Sequence, residues 1–356
     1  MTDDDDDIAK AMHFYLVQKV FILEIKKKLL GAFDIFEIYP DFGTKLLKLS
    51  RSINDFALYM GCLGSPNGEF DNSAGCLRIR LQRRDVGRLL LTEALNIHEE
   101  YPGYISPLAM GCTAFGTPLV VDQASVPNTL VAGSPGAGKS TLLRVMVENF
   151  LASKTAVLII DPKMIDFIMF KNRKGCTIET DNAKISIALS EATDRMNGRY
   201  MLLAKSGKSS ISEYNSSLTR SQKKIMPEVI IIDEWADVLL SNKKNLEKIL
   251  LLSQKGRAAG ISLILATQRP SSGIFPGQIK ANFSGRIAMR VSSEMESRII
   301  INSSDAANIS EPGMAYYMDA AHQKPILFRV ADYNLPMPAS KSSRSFWSNI
   351  IENILL

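Results

Sequence analysis

Residues that build metal centres and cross-links are scarce in this 356-residue sequence, which has four cysteines and three histidines. Cys62, Cys76, Cys112 and Cys176 lie far apart with no CxxC pair, and His13, His98 and His322 are scattered. No zinc site or disulfide framework is legible, and a reducing compartment fits such thiols. An excess of one charge is equally lacking. The 42 Lys and Arg against 37 Asp and Glu leave +5, although the acidic run Asp3 to Asp7 masks part of the basic surplus. That balance is compatible with a polyanionic partner but too small to name one. A bilayer-length apolar run is missing too. The stretch from Ala11 to Ile25 is interrupted by Lys19 and closed by Lys26, Lys27 and Lys28. It reads as an amphipathic helix for packing or self-association, and no stable membrane insertion is expected. The acidic start stands where a signal peptide would be basic, so a cytoplasmic chain is expected.

What is present is enough apolar material, 46% of the residues, to fill two cores. Residues 1–35 read as a disordered acidic arm followed by an amphipathic helical segment, with Ile22, Leu23, Ile25, Leu29 and Leu30 at helical spacing. Residues 36–105 read as a small α+β domain. In it Cys76 to Leu81 alternates so that Leu77, Ile79 and Leu81 share one face of a strand and Arg78 and Arg80 the other. From 106 to 334 the rhythm changes. Apolar runs at Leu130–Ala132, Ala156–Ile160, Val229–Ile232, Ile261–Ala266 and Ile287–Val291 alternate with longer amphipathic stretches. Strands buried on both faces and joined by crossover helices produce that texture, so an α/β fold with a mostly parallel central sheet is expected. Residues 335–356, rich in Pro, Ser and basic residues before an apolar end, read as an arm or short helix.

Chemistry concentrates after the first of these strands. Gly133-Ser134-Pro135-Gly136-Ala137-Gly138-Lys139-Ser140-Thr141 is G-x-x-x-x-G-K-[ST], followed at helical spacing by Leu142, Leu143, Met146, Val147 and Phe150. Strand before and helix after is the context in which backbone N–H groups converge on phosphate oxygens. Lys139 would neutralise the β and γ phosphates of ATP, and Ser140 would offer its hydroxyl to Mg²⁺. A second apolar strand ends in Asp233-Glu234. Asp233 would hold Mg²⁺ and Glu234 would polarise the attacking water, although acids at the start of a helix after a buried strand have the same sequence appearance. A third strand ends in Thr267-Gln268, where the Gln268 amide could sense a γ phosphate.

Further segments resemble the FtsK/SpoIIIE family of DNA-pumping motors. They are Asp161-Pro162-Lys163-Met164, Asp233-Glu234-Trp235-Ala236-Asp237, Gln254 to Gly260, Leu265 to Pro270, Arg199-Tyr200 with Tyr214-Asn215, Ile279 to Asn282, and Val291-Ser292-Ser293 with Ser297-Arg298. Their order and spacing hold from Ser106 to Val330. Residues 41–60 and the strand around Ile79 are similar, more faintly, to a shortened version of the family's α domain. The resemblance implies a RecA-like P-loop ATPase core, ATP and Mg²⁺ at subunit boundaries, and a homohexameric ring around double-stranded DNA. It implies that Arg257 reaches into the neighbouring subunit's site, where the plainer alternative is a surface ion pair. Arg269, Lys280 and Arg298 match positions that face DNA in the family, where the alternative is solvated surface charge. Glu294 departs from a position where the family often carries Lys and would repel a phosphate. The family's membrane region and winged-helix module have no counterpart in these residues, which suggests a soluble motor served by a loading or targeting partner, in conjugative transfer, mobile-element maintenance or genome packaging. Two other functions compete: a protein-secretion ATPase of the type VII kind, and a nucleotide-dependent assembly scaffold.

Overall fold

The computed structural model describes residues 3–30, 33–60, 66–82, 89–97, 101, 103–113, 117–219 and 222–333. Cys62, His98 and the expected arm at 335–356 lie outside them.

The first part of the chain folds as α1 (Asp3–Val17), β1 (Ile22–Leu30), β2 (Phe33–Pro40), α2 (Leu46–Arg51), α3 (Ile53–Tyr59), β3 (Asn67–Asp71) and β4 (Cys76–Gln82). Its strands form an antiparallel sheet in the order β1-β2-β4-β3. Leu77, Ile79 and Leu81 of β4 are buried with Phe14, Tyr15, Phe36 and Phe56, which is the face the alternation predicts. On the opposite face Arg78 meets Glu37 at 3.2 Å and Asp71 at 2.9 Å.

Two expectations for this region are corrected. Asp3 to Asp7 is not a free arm but the first turns of α1, where carboxylates are favoured by the helix dipole. The Ile22–Leu30 segment is a strand rather than a helix. The helix before it ends at Val17, and Lys19, at φ 53°, turns the chain out of it. The spacing of Ile22, Leu23 and Ile25 suits either element, and cross-strand partners decide between them. Ile25 pairs with Ile38 on β2, and the buried Lys27 ammonium lies 2.8 Å from Asp7 and 3.5 Å from Asp34. The expected division at residue 35 therefore falls within the β1–β2 hairpin.

The second sheet has ten strands. After α4 (Leu91–Asn96) come β5 (Pro107–Thr113), β6 (Pro118–Asp122), β7 (Asn128–Ala132), α5 (Lys139–Ala152), β8 (Ala156–Ile160), β9 (Cys176–Glu179), α6 (Asn182–Ser206) and α7 (Ile211–Ser217). There follow β10 (Glu228–Ile232), α8 (Trp235–Ser241), α9 (Lys244–Lys255), β11 (Ile261–Thr267), α10 (Gly277–Asn282), β12 (Gly285–Met289), α11 (Glu294–Ile301), β13 (Met314–Met318) and β14 (Ile326–Val330). The spatial order is β6-β5-β14-β13-β12-β7-β11-β10-β8-β9, parallel from β12 through β9 and antiparallel on the other flank. The apolar runs thus lie on neighbouring parallel strands, with the last displaced: β12 ends at Met289, and Val291 lies beyond it.

Burial on both faces explains why the runs are continuous. Val131, Val229, Ile231, Ile264, Ala266 and Ile287 pack beneath α5, while their neighbours Leu130, Ala132, Ile230, Ile232, Leu263 and Leu265 pack beneath α6, α8 and α9. The result is a RecA-like three-layer fold whose parallel strands all point their carboxyl ends to one edge. Among the described residues no helix is long and apolar enough to cross a membrane.

Candidate active site

The carboxyl edge gathers the expected residues. Between β7 and α5 the chain turns through Gly133 to Gly138, with Pro135 and Gly136 exposed at the tip and Ala137 buried beneath. Gly138 sits at φ 105°, and a Cβ there would lie 3.1 Å from the backbone nitrogen of Gly313, so the turn requires glycine. Neighbouring strands hold the loop open. The Ser134 N–H donates to the Arg290 carbonyl at 2.8 Å, the Gly313 N–H donates to the Ala137 carbonyl at 2.8 Å, and the Ser134 and Ser292 hydroxyls are 3.2 Å apart. Lys139, Ser140 and Thr141 then form the first turn of α5.

Strand order brings the acids to this loop. β11 separates β7 from β10, so the end of β10 lies two strands from the loop. The buried Lys139 ammonium crosses that gap and donates to the Asp233 carbonyl at 2.7 Å and to its carboxylate at 2.5 Å. Glu234 is 5% exposed, and its carboxylate accepts the Thr267 hydroxyl at 2.5 Å and the Gln268 N–H at 3.0 Å, both from the end of β11. Glu234 stands at the N-cap of α8, as the alternative of an acidic helix start has it, but its side chain makes no capping bond and is turned to β11 instead. Gln268 is half-buried beside it, so the amide stands at the predicted strand end.

Two further acids come from the chain after β8. The buried Asp161 carboxylate accepts N–H bonds from Lys163 and Met164, both at 3.1 Å. Burial, then the nearby Asp233 carboxylate, raises its pKa above the ordinary value, with Asp166 adding to the effect. Asp166 accepts the Ser140 hydroxyl at 2.8 Å. Among the described residues no three His, Cys, Asp or Glu side chains converge to cage a metal. A surplus of negative charge beside a serine hydroxyl nevertheless fits Mg²⁺, which keeps waters and phosphate oxygens in its coordination sphere and needs few protein ligands.

The amino edge of the sheet is built differently. The turn 256–260 between α9 and β11 carries Arg257, exposed and without an ion pair or side-chain hydrogen bond among the described residues. Among the described residues the surface ion pair that was the plainer alternative is not formed. The turn itself is firmly held. Arg199 donates to the Ala259 carbonyl at 2.7 Å, the Tyr200 hydroxyl to the Lys255 carbonyl at 2.7 Å, and the Ile211 N–H to the Ala258 carbonyl at 3.0 Å. Beside it opens a cleft of about 470 Å³ lined in part by Tyr200, Ile211, Glu228, Lys255, Arg257 and Gly260. The length of β11, about 20 Å at the usual rise per residue, separates Arg257 from Asp233 and Glu234 of its own chain.

The three cations expected to face DNA are not brought together. Arg269 is exposed just past the carboxyl end of β11, and Arg298 lies on α11 beyond β12, two strands away. Lys280 is half-buried on α10, whose last residue, Asn282, accepts a bond from Asn128 at the amino end of β7. Arg298 is also engaged: its guanidinium meets Glu294 at 2.9 Å, one helical turn back.

The sequence pattern of the FtsK/SpoIIIE family matches residues 98–272. The chain belongs to the FtsK/SpoIIIE family. It is 33% identical over 307 residues to the DNA translocase FtsK of Borreliella burgdorferi, which covers 82% of this chain and 38% of that protein. It is 30% identical over 306 residues to the DNA translocase SpoIIIE of Bacillus subtilis, covering 82% and 39%. The chain thus spans about two fifths of the length of these curated relatives. In fold it is similar to the pCW3 conjugation coupling protein TcpA in its monomer form with ATPγS, with a TM-score of 0.66 at 18% identity over 99% of this chain and 100% of that one. The cytoplasmic domain of the type VII secretion ATPase EccC of Thermomonospora curvata gives 0.61 at 23% identity, over 72% and 33%.

Within this FtsK/SpoIIIE site, sequence reasoning missed Thr267, Asp166 and Arg144, the last of which donates to Asp166 from α5. Thr267 stands in the segment that carried the resemblance, yet a hydroxyl next to Gln268 gives no sign that it holds Glu234. Asp166 follows Asp161 by five residues in a loop without periodicity, and only the fold returns it to Ser140.

Proposed function

We propose that the chain is an ATP-driven motor that moves double-stranded DNA as a homohexameric ring. One observation carries the reading: the phosphate loop, Lys139, Asp233 and an oriented Glu234 converge on one edge of the sheet, while Arg257 stands on the other without a partner among the described residues. The N–H groups of Gly133 to Thr141 would hold the triphosphate, with Lys139 leaving Asp233 for the β and γ phosphates. Ser140 and Asp233 would hold Mg²⁺, whose charge neutralises the phosphate oxygens. Glu234, fixed by Thr267 and the Gln268 N–H, would orient the attacking water, and the Gln268 side chain would contact the γ phosphate. Arg257 cannot serve its own chain across the sheet, so it would serve a neighbour's, which makes hydrolysis depend on assembly.

The DNA part rests on the relatives named above as DNA translocases and on exposed basic side chains such as Arg269. Arg269, Lys280 and Arg298 would track phosphates from separate loops without reading bases, and DNA must displace Glu294 from Arg298. A loading partner and a cytoplasmic setting, suited to the free thiols of Cys76, Cys112 and Cys176, belong to the same reading. The protein-secretion alternative has a likeness of fold behind it and no more. ATP turnover measured with and without duplex DNA across a salt series tests the proposal. Stimulation that fades with salt, and its loss in Glu234→Gln, is the expected result. Turnover indifferent to duplex at low salt would sink the DNA reading, and unchanged turnover in Glu234→Gln would sink the role of Glu234.

A further inference from the structure

The loop after β8 delivers an acid to the phosphate-loop serine, and nothing in the motor chemistry above uses it. Asp166 accepts the Ser140 hydroxyl at 2.8 Å. Its position is fixed from both sides. Phe167 and Phe170, both fully buried, anchor the loop in the core beneath α5. Arg144, one turn after Ser140 on the same helix, donates to the Asp166 backbone carbonyl at 2.8 Å and to its carboxylate at 3.2 Å. Helical spacing thus places the hydroxyl and the guanidinium side by side, and both point to the same acid.

A serine hydroxyl has one proton and two lone pairs. If it is to give a lone pair to a cation, its proton must go elsewhere, and coordination strengthens it as a donor. A carboxylate already in place fixes the rotation of the hydroxyl so that a lone pair faces the site. Carboxylates that orient metal-bound ligands in this way are common, and their removal costs roughly 10- to 100-fold in metal affinity.

We propose that Asp166 is a positioning residue for Mg²⁺: by accepting the Ser140 proton it aims the Ser140 oxygen at the metal, and Arg144 holds Asp166 for that task. The proposal rests on the nucleotide site described above and adds a residue to it. The step is one of hydrogen bonding, with no bond made or broken. Asp166 does not touch the metal in this account, and it acts only through Ser140.

The test is binding of a fluorescent ATP analogue to the full chain, titrated with MgCl₂ and repeated in EDTA, with thermal melting as a check on folding. Asp166→Ala is expected to bind the analogue in EDTA as the parent does, while the Mg²⁺ concentration for half-maximal enhancement rises about 10- to 100-fold. Asp166→Asn keeps an acceptor oxygen and is expected to shift it less. It also serves if the alanine variant does not fold. Arg144→Ala is expected to give a smaller shift in the same direction. Mg²⁺ midpoints equal to the parent's in a folded Asp166→Ala or Asp166→Asn protein overturn the proposal and leave the nucleotide site standing. A loss of equal size in EDTA and in Mg²⁺ also overturns it, since that is the mark of a merely structural residue. A parent protein that binds no nucleotide overturns the proposal together with the function it rests on.

Discussion

At the carboxyl edge of the ten-stranded sheet the charges around the phosphate loop are answered within the chain: Lys139 by Asp233, Glu234 by Thr267 and the Gln268 N–H, Asp166 by Ser140 and Arg144. At the amino edge the backbone of the 256–260 turn is held as tightly, by Arg199, Tyr200 and Ile211, yet the side chain it presents has no partner among the described residues. The contrast separates two kinds of preorganisation. One edge stores a ligand-binding arrangement that closes on itself and must exchange partners when phosphate arrives. The other holds a single guanidinium in the open on a rigid turn, which is the arrangement that the proposed contact with a neighbouring subunit requires.

The largest expected effect comes from breaking the open edge. Arg257→Ala should lower ATP turnover by about 10³-fold or more while leaving nucleotide affinity unchanged, because the residue lies a strand's length from its own phosphates. Mixing it with Lys139→Ala protein should restore some turnover at hybrid boundaries. No recovery in assemblies shown to be mixed would erase the distinction between the edges. Next in size is Lys139→Ala, which opens the closed edge. Beyond the loss of nucleotide binding, it strands a carboxylate that is 2% exposed, and breaking a buried pair from one side costs about 3–5 kcal/mol. Chemical denaturation without nucleotide should show a destabilisation of that order, whereas Arg257→Ala should melt like the parent. Gly260→Ala acts on the support of the open edge. Gly260 has φ 65°, and a Cβ there would collide with Ile211, so a stability loss of about 1–3 kcal/mol and weaker trans activation should appear together. Retained stability with lost activation would mean the turn is less rigid than its hydrogen bonds imply.

How much of this was readable beforehand followed the distance between interacting residues in the chain. The phosphate loop, the Asp233-Glu234 pair and the buried strands were legible because each is a contiguous run whose neighbours set its meaning. The strand Ala156–Ile160 even matches to the residue. Partners far apart were not legible. Thr267 is 33 residues from Glu234 and Asp166 is 26 from Ser140, and no local pattern links them. Strand β1 failed for the same reason. Ile22–Leu30 acquires its strand character from β2 and from the ions on either side of Lys27, whereas its own spacing allows a helix. For Arg257, matched by resemblance, only the fold shows that it has no partner among the described residues.

The smallest effect sharpens the comparison most, because it asks whether the closed edge is at ease or under electrostatic strain. Asp161 is buried, and burial together with the Asp233 carboxylate raises its pKa. A carboxyl whose folded pKa exceeds its unfolded value favours the folded state below the unfolded pKa, and that contribution is lost as pH rises through the folded pKa. At neutral pH the native Asp161 is therefore a liability. Asp161→Asn keeps an oxygen to accept the Lys163 and Met164 N–H groups and removes the charge. The variant should melt at a higher temperature than the parent near neutral pH, and the gap should close as pH falls into the ordinary carboxylate range. Adding Mg²⁺ and nucleotide should narrow the gap from the other side, since the cation relieves the same repulsion in the parent. A gap that ignores pH would mean that the carboxylates at this edge are already neutralised within the chain, and the two edges would then differ only in which of them faces a neighbour.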